Sequence, residues 1–282
     1  MKQKLYFLSM LTIILLIIVS TAGILSLDFS KSYDVINQYG DTVRIYGYGI
    51  YSHDSFFKAP ILIGTDYTIL IIAVPLFIIT FLQNIKNFSQ KSELKLLSLY
   101  SVALYYSASL SFGVAYNRLH LIYVALFSCS LFGIFHQIRK IDISKFRKGT
   151  TRGLNIFLIL TGVALIAAWM PDIIPTVISG ESLNLIEVYT TEITYVLDMG
   201  IIGPLCLICL YLLKKKDGLG TILLASILKL CIFVGFMMVS QALCQIASGY
   251  ETTVPVLVTK TGSFVLLAIF ALYFNQKLYK ET

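Results

Sequence analysis

Charge is what this chain has least of. Only 13% of its 282 residues are Asp, Glu, Lys or Arg, while 57% are hydrophobic and the mean hydropathy is +0.82. Ordinary soluble domains carry roughly 25% charged residues. A water-soluble fold of this length has nowhere to hide so much apolar side chain, so a soluble domain of any size is excluded. Histidine is scarce as well, with only His53, His120 and His136, and these are scattered. A membrane haem needs two imidazoles facing each other at one depth, and a zinc hydrolase needs clustered His and acidic ligands. Neither pattern is present, so no metal and no cofactor is expected. A retinal Schiff base at Lys229 is disfavoured, because no carboxylate lies one turn before it and the chain has a single tryptophan, Trp169. Walker A, GxSxG and HExxH motifs are missing, which leans the reading away from an enzyme.

Cysteine is sparse and unpaired in number. Cys129, Cys206, Cys209, Cys231 and Cys244 all fall inside apolar runs, which argues against a disulfide framework. The C-x-x-C of Cys206 and Cys209 reads as two small packing residues in mid-helix. No low-complexity segment, Pro- or Ser-rich linker or convincing internal repeat is found, and the missing repeat counts against a conventional secondary transporter.

What the chain does have is a series of apolar runs of spanning length. They lie at about residues 5–27, 66–83, 95–116, 119–138, 154–173, 192–213, 219–246 and 256–276. The expected fold is all-α: a polytopic transmembrane helical bundle of about eight helices, forming one domain over residues 1–282. The first run follows Met1-Lys2-Gln3-Lys4 and outlasts a signal-peptide core of roughly 7–15 residues. It is expected to stay as an anchor; cleavage would leave seven helices and an outside N-terminus.

Loop charge orients the helices. Lys2 and Lys4; Lys86, Lys91 and Lys95; Arg139, Lys140, Lys145, Arg147, Lys148 and Arg152; Lys214, Lys215 and Lys216; and Lys277 and Lys280 all fall on every second connection or terminus. The connection from Asp172 to Glu192 and the one around Glu251 are acidic. The positive-inside rule therefore places both termini in the cytoplasm. The net charge of +7 reads as this orientation signal, with the lipid bilayer as partner and no nucleic acid.

The outside connection 28–65 is the longest and is rich in Tyr and Gly, as in Tyr46-Gly47-Tyr48-Gly49-Ile50-Tyr51. It is expected to form a turn or short hairpin at headgroup level, as an ordered cap or a lid over an outward-facing cavity. Phe56–Ile63, which contains Pro60 and is too short to span, reads as an interfacial or re-entrant segment.

Ionisable groups inside a span are costly, so they are functional candidates by default. Asp198 and Lys229 stand out, and a pair between them would clamp adjacent helices or form a ligand or proton site. Glu192, Tyr195 and Asp198 recur at helical spacing on one stripe. Pro204, with Gly200 and Gly203, is expected to bend this helix beside its carboxylate, as in many transporter sites. Asp54 and Asp66 are expected near the outer turn 115–120. The candidate ligand-binding residues are Asp66, Asn117, Arg118, His120, Glu192, Tyr195, Asp198, Lys229 and Lys260. All but Tyr195 and Lys229 would line an outer vestibule; the plainer alternative is a set of solvated helix ends.

Several fragments resemble a family of uncharacterised multi-pass prokaryotic inner-membrane proteins. They are Tyr51-Ser52-His53-Asp54-Ser55, Gly64-Thr65-Asp66, Ala115-Tyr116-Asn117, Tyr189-Thr190-Thr191, and Leu197-Asp198-Met199-Gly200 leading to Pro204, followed by Lys229. The resemblance implies the same topology and points to the same polar positions, without naming an activity. Three functions remain open. The first is binding or transport of a small polar or lipid-like, amphipathic ligand. The second is an intramembrane enzyme on a lipid-linked substrate, with Asp66, His120 and Asp198 as acid–base groups. The third is a non-catalytic membrane subunit or sensor.

Overall fold

The computed structural model describes residues 2–183, 186–250 and 254–280, and all of their side chains except those of residues 2–5 and 254–260. Among these residues the chain is helical apart from one hairpin. It begins with α1 (Lys2–Ile24), then the antiparallel strands β1 (Tyr33–Ile36) and β2 (Thr42–Ile45). Next come α2 (Lys58–Thr68), α3 (Val74–Lys86), α4 (Gln90–Gly113) and α5 (His120–Ile138). The second half holds α6 (Arg152–Ala167), α7 (Met170–Ser179), α8 (Ile193–Leu197), α9 (Gly203–Lys214), α10 (Gly218–Ala247) and α11 (Val254–Lys280).

Seven stretches are long and apolar enough to cross a membrane: Tyr6–Ile24, Lys58–Lys86, His120–Ile138, Arg152–Ser179, Ile193–Lys214, Gly218–Ala247 and Thr261–Lys280. Their outward faces carry large apolar side chains, such as Leu121 and Ile178, each 80% exposed. A soluble monomer rarely tolerates so much exposed apolar surface. The chain is thus a multi-pass membrane protein.

The expected span 95–116 corresponds to α4, which is long enough at 24 residues but too polar to be among the seven. The reason is its place in the bundle. Helices α3, α5, α8 and α10 pack around it, and α1 reaches it through a Ser9–Tyr100 hydroxyl pair at 2.8 Å. Protein covers most of α4, so Tyr100, Ser101, Tyr105 and Tyr106 bond to neighbouring elements and Ser98, Ser107 and Ser109 to carbonyls of the helix itself. Ser101 donates to Ser226 of α10 at 2.9 Å, and the capping box of Ser89 and Ser92 closes its N-terminus. The helix runs from Gln90, whose amide donates to Lys140 O, to a turn whose Ala115 N–H donates to Asp54.

One expectation needs correcting. Phe56–Ile63 is no separate interfacial segment, because α2 starts at Lys58 and continues through Thr68. Pro60 falls in the first turn, where a missing N–H costs nothing since the first four have no intrahelical partner.

The two halves share a plan that spacing in the sequence hides. In the first, α2 passes through a π turn, Ile69–Ala73, into α3, which opens Val74-Pro75. In the second, α8 passes through a π turn, Asp198–Ile202, into α9, which opens Gly203-Pro204. Each proline lacks an N–H for the preceding turn, and the wider π turn absorbs the lost bond. A helical hairpin follows each unit, α4 with α5 and α10 with α11. The hairpins meet along α4 and α10, while α2 packs on α10 and α8 packs on α4. Each carboxylate-bearing helix therefore leans on the hairpin of the opposite half.

Helices α6 and α9 approach through bare backbone. A Cβ at Gly162 would lie 2.9 Å from Gly203 O, and one at Gly203 would lie 3.1 Å from Gly162 O. Small residues at such crossings let membrane helices close up. A Cβ at Gly200 would meet nothing within 4 Å. Gly162→Ala should therefore cost about 1–3 kcal/mol of stability in a detergent unfolding titration. Gly200→Ala should be neutral or slightly stabilising, since Ala is the better helix former. Equal effects of the two would contradict this packing.

Candidate functional site

Two carboxylates sit at or within one turn of the π turns of the two halves, and consecutive tyrosines of α4 bond to them. Tyr105 Oη donates to Asp198 Oδ1 at 3.2 Å, and Tyr106 Oη donates to Asp66 Oδ1. Neighbouring residues on a helix point about 100° apart, so one rigid helix serves both halves.

Asp198 opens its π turn. Trp169 Nε1 donates to Asp198 Oδ2 at 3.2 Å, and the Trp169 ring stacks on Tyr195 with centroids 4.6 Å apart. Tyr195 Oη donates in turn to Asp172 Oδ2 at 2.9 Å. A cavity of about 20 Å³ lies against this group, lined by Tyr105, Leu165, Asp198, Ile202, Cys231 and Phe264. That is room for about one water, since a water needs roughly 10–15 Å³. Walls from α4, α6, α10 and α11 meet there at the π turn, so small helix shifts widen or close it. The lining is apolar apart from the carboxyl and phenol.

Asp66 is wholly buried. Its second oxygen accepts from Tyr51 Oη at 2.7 Å, and a Cβ on Gly23 of α1 would lie 1.7 Å from that oxygen. Gly23 is therefore what lets α1 lie against the carboxyl. No basic side chain among the described residues is within ion-pair distance of Asp66.

Above these sites the connections knit into a cap. Asn37 Nδ2 donates to Glu187 O at 3.0 Å, and Gln38 Nε2 donates to Tyr189 O at 3.2 Å. Lys58 pairs with Glu192 at 3.0 Å and lies over the Tyr189 ring at 4.1 Å. Asp54, also wholly buried, accepts from Tyr189 Oη and from Ala115 N–H, each at 2.9 Å. Burial pushes its carboxyl up to about 7, against the pull of those two donors and of Lys58. Burial likewise raises Glu187 and Tyr189.

The sequence-derived candidates separate into three groups. Glu192, Tyr195 and Asp198 lie together but face different partners: Lys58, Asp172, and the Tyr105–Trp169 pair. Asp66 is wholly buried between Tyr51 and Tyr106. Asn117 serves its own turn, accepting from Leu119 N–H at 2.9 Å, while Arg118 is exposed and the His120 ring rests 5.2 Å from that of Tyr116. Lys229 forms no ion pair with Asp198 among the described residues, so the expected clamp is not made. The Lys260 side chain lies outside the described residues. Asp66, His120 and Asp198 do not assemble as one acid–base set, because each bonds or packs elsewhere.

Sequence reasoning missed Trp169, Tyr51 and Tyr106 as carboxylate partners, and the Lys58–Glu192 pair. Trp169 is 29 residues from Asp198, and Lys58 is 134 from Glu192, so no local spacing rule joins them. The adjacent Tyr105-Tyr106 of α4 was the one readable signal. Comparison with known protein families, curated proteins and solved structures finds no match to this chain.

The Asp54 carboxyl gives a pH test. Its folded value of about 7 lies above the ordinary carboxylate range, so the folded state holds the proton more tightly than the unfolded chain. Its stabilising contribution is thus complete below about pH 4 and is lost as pH rises to about 7, by up to about 4 kcal/mol. Asp54→Asn keeps acceptors for Tyr189 and Ala115 but cannot ionise. In unfolding measurements across this range the variant should gain on wild type steadily from pH 4 to 7 and then level off. A constant offset would contradict the assignment.

Proposed function

We propose that this chain is a carrier or binding protein of the cell membrane, taking a small polar or amphipathic ligand at Asp198. The observation that carries this reading is the cavity at the π turn. An apolar chamber with one carboxylate and one phenol at its wall suits a polar head with an apolar body. Intramembrane charge is otherwise costly and calls for a use. The π turn and Pro204 supply a place where the helix can flex, as broken helices do in carriers. The present cavity fits a closed form, with the tied outer connections as its cap.

Eight crossings, with α4 as an interior span, bring both termini to one side, and the alternating basic loops make that side cytoplasmic. The resemblance of the fragments favours a prokaryotic inner membrane. The enzyme reading lacks an assembled acid–base set, and nothing specific favours a subunit or sensor role.

The test is a thermal-shift screen of the protein in nanodiscs against small amines, neutral polar solutes and amphipathic compounds. A stabilising ligand should bind roughly 10–100-fold more weakly to Asp198→Asn, the worth of a hydrogen bond to a charged group. Lys229→Met should leave its affinity within about threefold, under 0.7 kcal/mol. Equal binding by wild type and Asp198→Asn would overturn the reading.

A further inference from the structure

The Asp66 group has no role in the ligand site, yet it is the more enclosed of the two carboxylates. Its neighbours form a ring of weak acids from four elements. Tyr51 and Tyr106 donate to its two oxygens. Tyr123 of α5 and Cys244 of α10 lie within its electrostatic reach. Helix α1 contributes only the bare backbone of Gly23. An ionised carboxylate in such a place keeps its two hydroxyl donors but lacks a countercharge, so the charged state is held at a cost. A neutral carboxylic acid fits the same space without that cost. Two phenol donors support the charged form and burial without a countercharge supports the neutral one, so the surroundings offer something to both forms, which a site that both loads and unloads a proton requires.

The outer side also offers a route. The Tyr123 hydroxyl is buried, lies by the Asn117 side chain, and sits in the field of both Asp54 and Asp66. One buried polar atom beneath the cap, Asp54 Oδ2, is unpartnered where full burial would normally demand pairing.

We propose that Asp66 is a reversible proton-binding site, the ion partner of the ligand site at Asp198, with α4 linking the two through Tyr106 and Tyr105. The chemistry is one proton from water joining the Asp66 carboxylate to give a neutral carboxylic acid; no other bond changes. Protonation weakens the Tyr106 hydrogen bond, because a charged acceptor binds a donor more strongly than a neutral one. Any turn of α4 that follows also moves Tyr105 against Asp198. This inference rests on the carrier reading for its purpose, but proton uptake is measurable without any ligand.

The experiment is infrared difference spectroscopy of the whole protein in nanodiscs while pH is stepped, with the proton as the only probe. The Asp54→Asn background removes the loop carboxyl. The expected result is a carboxylic acid C=O band that titrates reversibly, disappears in Asp66→Asn and persists in Asp198→Asn. Tyr106→Phe removes a donor to the charged form, so the midpoint should rise by about one pH unit. A titrating band unchanged by Asp66→Asn, or no titrating band, overturns the proposal. Should Asp66→Asn not fold, Tyr106→Phe decides: a raised midpoint supports the site and an unmoved one overturns it. The thermal-shift screen reads the Asp198 site separately, so a failed proton site and a failed ligand site give different results.

Discussion

At bilayer depth there is no water, so every hydroxyl, carboxyl and amide must find its partner in protein. Helix α4 concentrates that demand. Its serines and tyrosines would be expensive against lipid, and the other helices are arranged so that it never meets lipid along its buried faces. Ser101 reaches α10, Tyr100 reaches α1, Tyr105 reaches Asp198 and Tyr106 reaches Asp66. The outer helices then need only be apolar outward and small inward, which is what their exposed Leu, Ile and Phe and the Gly162–Gly203 crossing provide.

The same demand accounts for where the structure is soft. Each half interrupts one helix with a π turn ahead of a proline, and each interruption lies within a few residues of a buried carboxylate. A regular helix there would leave a carbonyl unpaired at the proline. The π turn spreads that deficit over a wider loop of backbone and leaves the segment able to change shape. Because α2 leans on α10 and α8 leans on α4, each interrupted helix touches the opposite half. On the proposed function, this is the mechanical link between the polar sites.

Much of the fold was legible in the sequence, and the reason is physical. Apolar length and loop charge are properties of single segments, so seven spans emerge directly. The start of α2 was misread because Phe56–Ile63 taken alone is short and holds a proline, while only the continuous helix shows that Pro60 is harmless. The repeat between halves was invisible because it resides in backbone, a π turn and a proline, with unrelated side chains around them. The site was legible only in its carboxylates. Asp198 and Asp66 announce themselves as charges in apolar runs, but Trp169 and Tyr51 look like ordinary membrane aromatics until the fold brings them to a carboxyl. Lys229 illustrates the converse: a charge in mid-helix is conspicuous, yet depth along its own helix does not say which neighbour it meets, and the pair with Asp198 is not made among the described residues.

The central claim is that α4 crosses the membrane as an interior helix despite its polarity. Cysteine accessibility tests it most directly. Single cysteines at Lys91, near the start of α4, and at Tyr116, 78% exposed just past its end, would be labelled with a membrane-impermeant maleimide in sealed cells and in inverted vesicles. The account predicts opposite sides, with Tyr116→Cys reacting from outside and Lys91→Cys only from the cytoplasmic face. Labelling of both from one side would contradict it.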